Sequence, residues 1–331
     1  MKYKKLGKSG AIVSELCLGT MTFGKGTSEK DAVRMVHQFL DYGGNFIDTA
    51  DVYVGGKSEE IVGEAIKDRR SDVVLATKVR MKTGENPNDV GYSRKRVMEG
   101  VEQSLKRLKT DYIDLYQLHV WDHLTPIEET LRTLNDLISS GKVRYIGCSN
   151  FLAWQLMKSL SISEQKNIAK FITIQPQYSL LHREMDREML SLCQEEGIGI
   201  LPWAPLGGGF LTGKYDSLHK PDEEWRLVTA GPGEYYWENK ALERNFIILE
   251  KVKKIAAEID KTPAQVALNW LLMKEGITSP IFGARTLEQF EENINAAGWQ
   301  LSKEHFEELD QISALPPEYP NRFIEKFKRD I

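Results

Sequence analysis

Cysteine is scarce in this chain of 331 residues, and its few cysteines follow no recognisable motif. Cys17, Cys148 and Cys193 are odd in number, lie far apart and form no C-x-x-C pair. This spacing argues against a disulfide framework and against a cysteine-based zinc site. We therefore expect free, buried thiols of the kind that persist in the reducing cytoplasm.

Long apolar stretches and an excess of positive charge are also missing. The lysine-rich start, Met1–Lys5, is followed by no apolar run long enough for a signal peptide or a membrane span. Lysine and arginine number 44 against 48 aspartates and glutamates, which gives a net charge of −4 and no basic footprint for nucleic acid. We expect a cytoplasmic protein that binds neither nucleic acid nor a membrane.

Several common site signatures are absent as well. Neither Gly207–Gly209 nor Gly24–Gly26 completes the G-x-G-x-x-G pattern of a Rossmann dinucleotide site. His119 and His123 lie four apart, but they straddle a predicted strand end and lack the helical H-E-x-x-H context, so we expect no metal. Ser149 is not in a G-x-S-x-G elbow, which argues against a hydrolase nucleophile.

Short β-rich apolar runs instead alternate with amphipathic helical segments over most of the chain. Such alternation predicts parallel strands joined by helices. Tyr3–Lys5 and Ala11–Val13 predict a small hairpin before the repeating units begin. Eight strand candidates follow, the number that a closed α/β barrel needs: Leu16–Leu18, Phe46–Asp48, Val73–Lys78, Tyr112–His119, Val143–Gly147, Phe171–Ile174, Ile198–Pro202 and Ser279–Ile281.

Helix starts and the lack of linkers complete the predicted organisation. Ser28, Thr125, Thr262 and Thr286 predict helix N-caps, the last three within capping boxes. No low-complexity linker divides the chain, so we predict one domain over residues 1–331. Its fold is a (β/α)8 TIM barrel with a short N-terminal β-hairpin and a C-terminal helical tail. The sequence assigns no role to the aromatic-rich segment Tyr215–Asn239.

Polar residues stand at the ends of consecutive predicted strands. Asp48 ends the second barrel strand, Lys78 the third and His119 the fourth, while Tyr53 follows in the loop after the second. The carboxyl ends of barrel strands converge on one mouth, so these residues are expected to share a site. Each has an ordinary structural interpretation when taken alone, and their combination at successive strand ends favours an active site.

The chemistry that this set predicts is acid catalysis by a phenol. A tyrosine has an ordinary pKa of about 10, and a nearby ammonium would lower it. We therefore predict that Lys78 lowers the pKa of Tyr53 and that Asp48 offsets the burial of the lysine charge. His119 is predicted to hold the carbonyl oxygen of a substrate beside the Tyr53 hydroxyl.

A phosphate site is predicted near the other end of the chain. Gly283–Thr286 leads from the eighth strand into a capped helix, whose N-terminal amides and dipole attract phosphate. Arg285 can add a bidentate contact, and Gln289 and Asn293 share one side of the helix. The alternative is an exposed capping box with a solvated arginine.

Longer motifs make the chain resemble the aldo-keto reductase family, especially the branch of potassium-channel β subunits and related bacterial reductases. The resemblance runs from Gly19-Thr20-Met21 to Gly298. It is carried by Phe46–Tyr53, Leu75–Lys78, Tyr112–His119, Gly141–Phe151 and Gly283–Arg285. It implies a catalytic tetrad of Asp48, Tyr53, Lys78 and His119 and the cofactor NADP(H).

The resemblance also implies roles for residues in cofactor binding. Ser149, Asn150 and Gln175 are similar to the residues that bind the nicotinamide carboxamide, and Trp203 to the aromatic that stacks on the ring. Leu206, Gly208 and Lys214 resemble a pyrophosphate loop with Arg226 as a clamp. Arg285, Gln289, Glu292 and Asn293 resemble the site of the 2′-phosphate and adenine. The remaining expected contacts are Gly19, Thr20, Met21, Asp48, Ala204 and Gly283.

Two departures from the family pattern weaken parts of this assignment. Ala204 stands where many relatives have serine, which removes one expected phosphate hydrogen bond. Trp225-Arg226 stands where relatives have a serine-arginine pair, so the sequence departs from the family pattern at the clamp.

The function expected is reversible NADPH-dependent reduction of an aldehyde or ketone. Tyr53, His119 and Trp121 are expected to contact this small-molecule substrate. Trp121, His123 and the aromatic residues Tyr235–Trp237 suit a sugar-like carbonyl, and aromatic residues also suit an aryl aldehyde. One alternative is an NADP(H)-binding, redox-sensing regulatory subunit. Another is a Schiff-base lyase that uses Lys78 as its amine. The sequence leaves open whether the chain is a monomer or a homo-oligomer.

Overall fold

The β structure consists of a two-stranded hairpin and an eight-stranded parallel sheet. The computed structural model describes residues 1–216, 227 and 237–328. The hairpin pairs β1 (Tyr3–Lys5) with β2 (Ile12–Ser14). The parallel strands are β3 (Cys17–Gly19), β4 (Phe46–Asp48), β5 (Val74–Val79), β6 (Ile113–Leu118), β7 (Val143–Ser149), β8 (Thr173–Gln175), β9 (Gly199–Ile200) and β10 (Ile281–Phe282).

Hydrogen bonds at both edges close this sheet. β10 pairs in parallel with β3, where Ile281 lies opposite Cys17. At the other edge, the Ile281 N–H donates to the Pro202 carbonyl at 2.8 Å, and the Thr278 N–H donates to the Ile200 carbonyl at 2.9 Å. The predicted (β/α)8 barrel is therefore confirmed.

Strand ends differ slightly from those predicted. The segment Ile198–Pro202 forms a regular strand only over Gly199–Ile200. The Leu201 N–H still donates to the Ile174 carbonyl at 2.9 Å, but Pro202 has no N–H to continue the ladder. The other strands begin or end a few residues from the predicted positions, because the hydrophobic pattern alone does not fix the ends of a strand.

Helices follow the strands around the barrel. They are α1 (Glu29–Asp41), α2 (Lys57–Ile66), α3 (Arg94–Leu108), α4 (Ile127–Ser139), α5 (Ala153–Lys166), α6 (Met189–Glu196), α7 (Trp237–Lys240), α8 (Glu243–Glu258), α9 (Pro263–Met273), α10 (Leu287–Ile294), α11 (Lys303–Ser313) and α12 (Asn321–Lys326). None of those within the described residues has the length and apolarity needed to cross a membrane.

The predicted helix caps are confirmed at three of four positions. Ser28, Thr262 and Thr286 each accept a backbone N–H as N-cap, and Thr262 forms a complete capping box. The prediction at Thr125 is wrong. Its hydroxyl donates instead to the Asp122 carboxylate at 2.7 Å, and α4 begins at Ile127 without a side-chain cap. Pro126 occupies the N-cap position, so Thr125 lies one residue before the place from which it could cap the helix.

Apolar side chains fill the barrel interior toward the amino-terminal ends of the strands. Phe46, Ala76 and Leu115 from β4, β5 and β6 belong to one buried cluster, which Leu6 and Val13 of the hairpin join. The hairpin is fastened to Asn45, whose side-chain carbonyl accepts the Ser14 N–H at 2.7 Å just before β4 starts. The hairpin thus closes the amino-terminal end of the barrel, and polar chemistry is left to the carboxyl end.

The cysteines and the C-terminal tail also have defined places. All three cysteines are free and buried, as predicted. Beyond α11, Glu318 forms an ion pair with Arg187, and the Asn321 side-chain amide donates to the Arg187 carbonyl at 2.8 Å. The tail is therefore helical, as predicted, and is anchored to the segment between β8 and α6.

Candidate functional site

Four polar side chains meet at the carboxyl end of the barrel. Asp48 is the last residue of β4, Lys78 lies in β5, and His119 directly follows β6. Tyr53 begins a 3-10 turn, Tyr53–Gly56, after β4. Parallel pairing places Asp48 opposite Ala76, two residues before Lys78. Side chains two residues apart on a strand share a face, so both point into the barrel.

The Lys78 ammonium is the centre of this group. Its Nζ lies 2.5 Å from Asp48 Oδ2, 2.8 Å from the Thr49 carbonyl and 3.0 Å from the Tyr53 hydroxyl. The side chain is fully buried. Burial alone would lower the pKa of Lys78, but the Asp48 carboxylate and Tyr53 outweigh burial and hold it above the ordinary value. Lys78 is therefore a permanent positive charge against the phenol.

The second oxygen of Asp48 is also fully engaged. Oδ1 accepts hydrogen bonds from the side-chain amides of Gln175 at 2.7 Å and Gln117 at 3.1 Å. A buried carboxylate needs such donors to remain charged. Sequence reasoning missed Gln117, although a polar residue two positions before His119 in an apolar strand was the available signal.

The predicted lowering of the Tyr53 pKa is wrong. Burial raises the pKa of Tyr53, Lys78 opposes the increase, and Asp48 adds to it, so the pKa lies above its ordinary value. The prediction considered the ammonium but not the burial of the phenol, which is the largest cause of the increase, nor the opposing charge of Asp48. Tyr53 is consequently a neutral phenol at neutral pH, which suits a proton donor.

His119 faces the phenol across the top of the group. The two ring centroids lie 6.0 Å apart at an interplanar angle of 79°. Burial, followed by the charges of Lys78 and Arg80, lowers the pKa of His119 to about 3. Its Nδ1 is buried and has no hydrogen-bond partner among the described residues. His119 is therefore a neutral imidazole that can donate or accept one hydrogen bond.

The loop that carries Tyr53 is strained. Val54 has φ of +51°, a left-handed conformation that is unfavourable for a β-branched residue, and Gly55 and Gly56 follow with φ of +64° and +93°. The loop is tied down by Ser58, whose hydroxyl donates to the Thr20 carbonyl at 2.8 Å. Strain of this kind persists where the surrounding structure fixes a functional group.

A cleft of about 620 Å³ opens above Tyr53 and His119. It brings together nearly all the residues that the sequence indicated. Its lining includes Gly19, Thr20, Met21, Asp48, Tyr53, His119, Ser149, Asn150, Gln175, Trp203, Ala204, Leu206, Gly208, Lys214, Gly283, Arg285, Gln289, Glu292 and Asn293. Lining residues that the sequence did not indicate include Thr22, Met81, Pro205 and Thr212. Arg226 lies outside the described residues.

One end of the cleft carries a connected set of amides. The Asn150 side chain donates to the His119 carbonyl at 2.9 Å and accepts the Trp203 indole N–H at 3.0 Å. The Ser149 hydroxyl donates to the Gln175 carbonyl at 2.6 Å. Asn150 has φ of +54°, which asparagine tolerates better than most residues. Amide and hydroxyl groups are thus gathered beside His119.

The other end lies at the start of α10. Gln289 Oε1 accepts the Arg285 N–H at 3.0 Å, and the Asn293 side chain donates to the Gly283 carbonyl at 3.2 Å. Facing this end is the turn Gly207–Thr212, in which Gly208 and Gly209 have φ of +74° and +98°. A glycine-rich turn and a helix N-terminus are groups that accommodate phosphate.

Trp121 lies apart from this cleft lining. It packs against Phe151 with ring centroids 5.0 Å apart and against the exposed Trp154 at 5.7 Å. These aromatics are close in sequence to His119 and Asn150, so they stand beside the mouth rather than within the described lining.

Comparisons with known proteins identify a family and several similar proteins. A family model described as the aldo/keto reductase family matches residues 15–314. The "Uncharacterized oxidoreductase YrpG" of Bacillus subtilis is 39% identical, and the match covers 96% of this chain and 97% of the relative. An Arabidopsis thaliana protein named "Probable voltage-gated potassium channel subunit beta" is 37% identical over 98% and 100%. A norsolorinic acid reductase of Aspergillus flavus is 34% identical over 96% and 82%.

Proposed function

Because the chain belongs to the aldo-keto reductase family, we propose that it reduces an aldehyde or ketone to an alcohol, reversibly and with NADP(H). Its oxidoreductase relatives support carbonyl reduction in general terms. The observation that carries the finer proposal is the Lys78 ammonium, which bridges Asp48 and Tyr53 directly beneath the cleft.

The residues around the cleft fit a nicotinamide dinucleotide phosphate. When bound, the nicotinamide would supply the hydride for the carbonyl carbon. Ser149, Asn150 and Gln175 offer the donors and acceptors that its carboxamide needs, and Trp203 offers a flat apolar face. Arg285 and the start of α10 suit the 2′-phosphate. The positive charge of Arg285 favours NADP(H) over NAD(H), because only NADP(H) carries the 2′-phosphate.

Tyr53 is proposed as the proton donor to the carbonyl oxygen. Its raised pKa keeps the phenol protonated before the reaction. Lys78 stabilises the phenolate that forms when the proton leaves, and Asp48 keeps the ammonium in place. His119, being neutral, donates a hydrogen bond to the same carbonyl oxygen and orients it. In the reverse direction the phenolate accepts a proton from an alcohol.

Replacing the phenolic hydroxyl tests this assignment. Tyr53→Phe should lower kcat for aldehyde reduction by about 10²–10⁴-fold, the usual contribution of a general acid. NADPH affinity, measured by quenching of tryptophan fluorescence, should change little. Tyr42→Phe, at an exposed tyrosine far from the cleft, is the matched control. Undiminished turnover by Tyr53→Phe would remove Tyr53 from this role.

The cofactor assignment has its own test. Fluorescence titration should give tighter binding of NADPH than of NADH, and Arg285→Ala should weaken NADPH binding selectively. Arg132→Ala, which removes an arginine exposed on α4, should leave both affinities unchanged. Equal affinity for the two nucleotides in the wild type would contradict NADP(H) preference.

A second candidate is an NADP(H)-binding subunit that senses redox state and regulates a partner. This candidate is supported by similarity to a protein named as a potassium channel β subunit. The similarity extends over nearly the whole of both chains. Tight cofactor retention with negligible turnover of any aldehyde would support this candidate over the reductase. A Schiff-base lyase is disfavoured because Lys78 would have to lose a proton that Asp48 stabilises.

A further inference from the structure

Arg80 has an unusual backbone at the edge of the site. It follows β5 directly, two residues after Lys78, with φ of +143°. Its carbonyl accepts the Gly91 N–H at 2.9 Å, which closes the loop between them. A non-glycine residue at such a φ costs about 1–3 kcal/mol and is retained where its position matters. The structure thus fixes Arg80 in a costly conformation beside the catalytic strand end.

The guanidinium of Arg80 also has an unmet need. Its Nε is buried and has no hydrogen-bond partner in the described part of the chain. By contrast, the Nε of Arg70 donates to the Thr110 hydroxyl at 2.9 Å, and its Nη2 pairs with Asp114 at 2.7 Å. Arg96 also has a buried Nε without a partner, but its Nη2 pairs with Asp51 at 2.5 Å. A buried cationic N–H without an acceptor is unfavourable, because desolvation is not repaid by a hydrogen bond. The Arg80 guanidinium therefore has donor capacity that the described residues do not use at Nε.

The surroundings of Arg80 belong to the mouth of the barrel. The next residue, Met81, lines the cleft, and His119 lies close enough that the charge of Arg80 contributes, after burial and Lys78, to its low pKa. Asp122 is also nearby, but its oxygens are taken by the N–H groups of Tyr92 and Leu124 and by the Thr125 hydroxyl. Asp122 accepts these hydrogen bonds, and among the described residues it forms no ion pair with Arg80.

We propose that Arg80 binds a carboxylate of the carbonyl substrate, so that the preferred substrates are aldehyde or ketone acids. The proposal rests on the reductase function proposed above. A guanidinium carries a fixed positive charge and N–H groups whose planar arrangement matches the oxygens of a carboxylate. The positive charge would orient the acid so that its carbonyl meets Tyr53 and His119.

Matched acid and ester substrates test this recognition. The ortho-, meta- and para-formylbenzoates are compared with their methyl esters, which keep the aldehyde and remove the charge. For the best isomer, the ratio of kcat/KM for acid over ester should exceed one in the wild type. In Arg80→Ala this ratio should fall by about 10- to 100-fold, the range for a charged hydrogen-bonded contact.

Two further variants separate recognition from folding. Arg80→Gly removes the guanidinium and tolerates the positive φ, so it should fold even if Arg80→Ala does not. Arg94→Met, at an exposed arginine on α3, should leave the acid-to-ester ratio unchanged. An acid-to-ester ratio that stays the same in Arg80→Ala and Arg80→Gly would overturn the proposal.

A binding measurement makes the result independent of turnover. Calorimetric titration with the same three formylbenzoates should show binding to the wild type in the presence of NADP⁺ and at least tenfold weaker binding to Arg80→Gly. If no aldehyde is reduced but this difference is found, the reductase function fails and the Arg80 site stands. If aldehydes are reduced but wild type and Arg80→Gly bind the acids equally, the site fails and the reductase stands.

Discussion

Two buried ion pairs arise from one short segment after β4, and they serve different ends. Asp48 pairs with Lys78 inside the barrel, and Asp51 pairs with Arg96 of α3, each at 2.5 Å and each almost fully buried. The inner pair reaches the cleft through the Tyr53 hydroxyl. Among the described residues, the side chains of the outer pair make one further hydrogen bond, from Arg96 to the Met81 carbonyl at 3.5 Å. Distance and burial therefore do not identify a reacting site, whereas access to a cleft does.

The two pairs also differ in how well their carboxylates are satisfied. Both oxygens of Asp48 accept hydrogen bonds. In Asp51, Oδ1 has no partner among the described residues. Burial raises the pKa of Asp51 to about 6, against the opposing charge of Arg96. The hydrogen bonds to Asp48 stabilise its carboxylate, whereas burial of the Asp51 carboxylate is unfavourable and lowers the stability of the fold.

Removing the inner cation should give the largest effect. Lys78→Met leaves Tyr53 without its phenolate-stabilising charge and Asp48 as an unpaired buried carboxylate. We expect kcat to fall by at least about 10³-fold and unfolding free energy to fall by about 3–5 kcal/mol. Steady-state kinetics and urea denaturation measure the two losses. A folded variant that retains turnover would place the reaction outside this pair.

Removing the outer cation should affect stability alone. Arg96→Met leaves Asp51 buried without its counter-ion, which should lower the unfolding free energy by about 3–5 kcal/mol. Turnover per folded molecule should change by less than about threefold. The reason is that the described hydrogen bond from Arg96 to a cleft-lining residue is a long one, to the Met81 backbone carbonyl at 3.5 Å. Arg94→Met is the surface control. A catalytic loss as large as that of Lys78→Met would show that the outer pair takes part in the reaction.

Sequence reasoning reached the inner pair and not the outer one for a physical reason. Asp48, Lys78 and His119 end apolar strands, and parallel topology brings strand ends to one mouth. Asp51 and Arg96 lie 45 residues apart, in a loop and on a helix, with no pattern that links them. The same limit applies to Gln117, whose role depends on which strand lies beside it.

Energetic details were harder to predict than positions. The direction of the Tyr53 pKa shift depends first on how deeply folding buries the phenol and then on the charges of Lys78 and Asp48, and spacing along the chain contains neither. The positive φ of Arg80 and the choice of Asp122 by Thr125 likewise depend on neighbours brought in by folding. The barrel class followed from the alternation of strand and helix patterns because this alternation repeats over most of the chain.

The pH dependence of stability should report the raised pKa of Asp51. Asp51 has a folded pKa of about 6, above the ordinary value for an unfolded chain, so the folded state binds the extra proton between about pH 4 and 6. Its stabilising contribution is complete below this window and is lost as pH rises through it, by about 2–3 kcal/mol. Denaturation of Asp51→Asn from pH 4 to 7 should lack this loss. A parallel decline in both proteins would contradict the raised pKa.

Relieving strain in the Tyr53 loop should give the smallest effect. Glycine adopts the +51° φ of Val54 without the clash of a branched side chain, so Val54→Gly removes strain but gives the unfolded chain more freedom. The two terms nearly offset, and we expect a change in unfolding free energy of at most about 1 kcal/mol. If the strain serves to hold Tyr53, kcat should drop severalfold while NADPH affinity is kept. Ile12→Gly, at an exposed residue of the hairpin with ordinary backbone, should destabilise the fold without this selective loss of kcat.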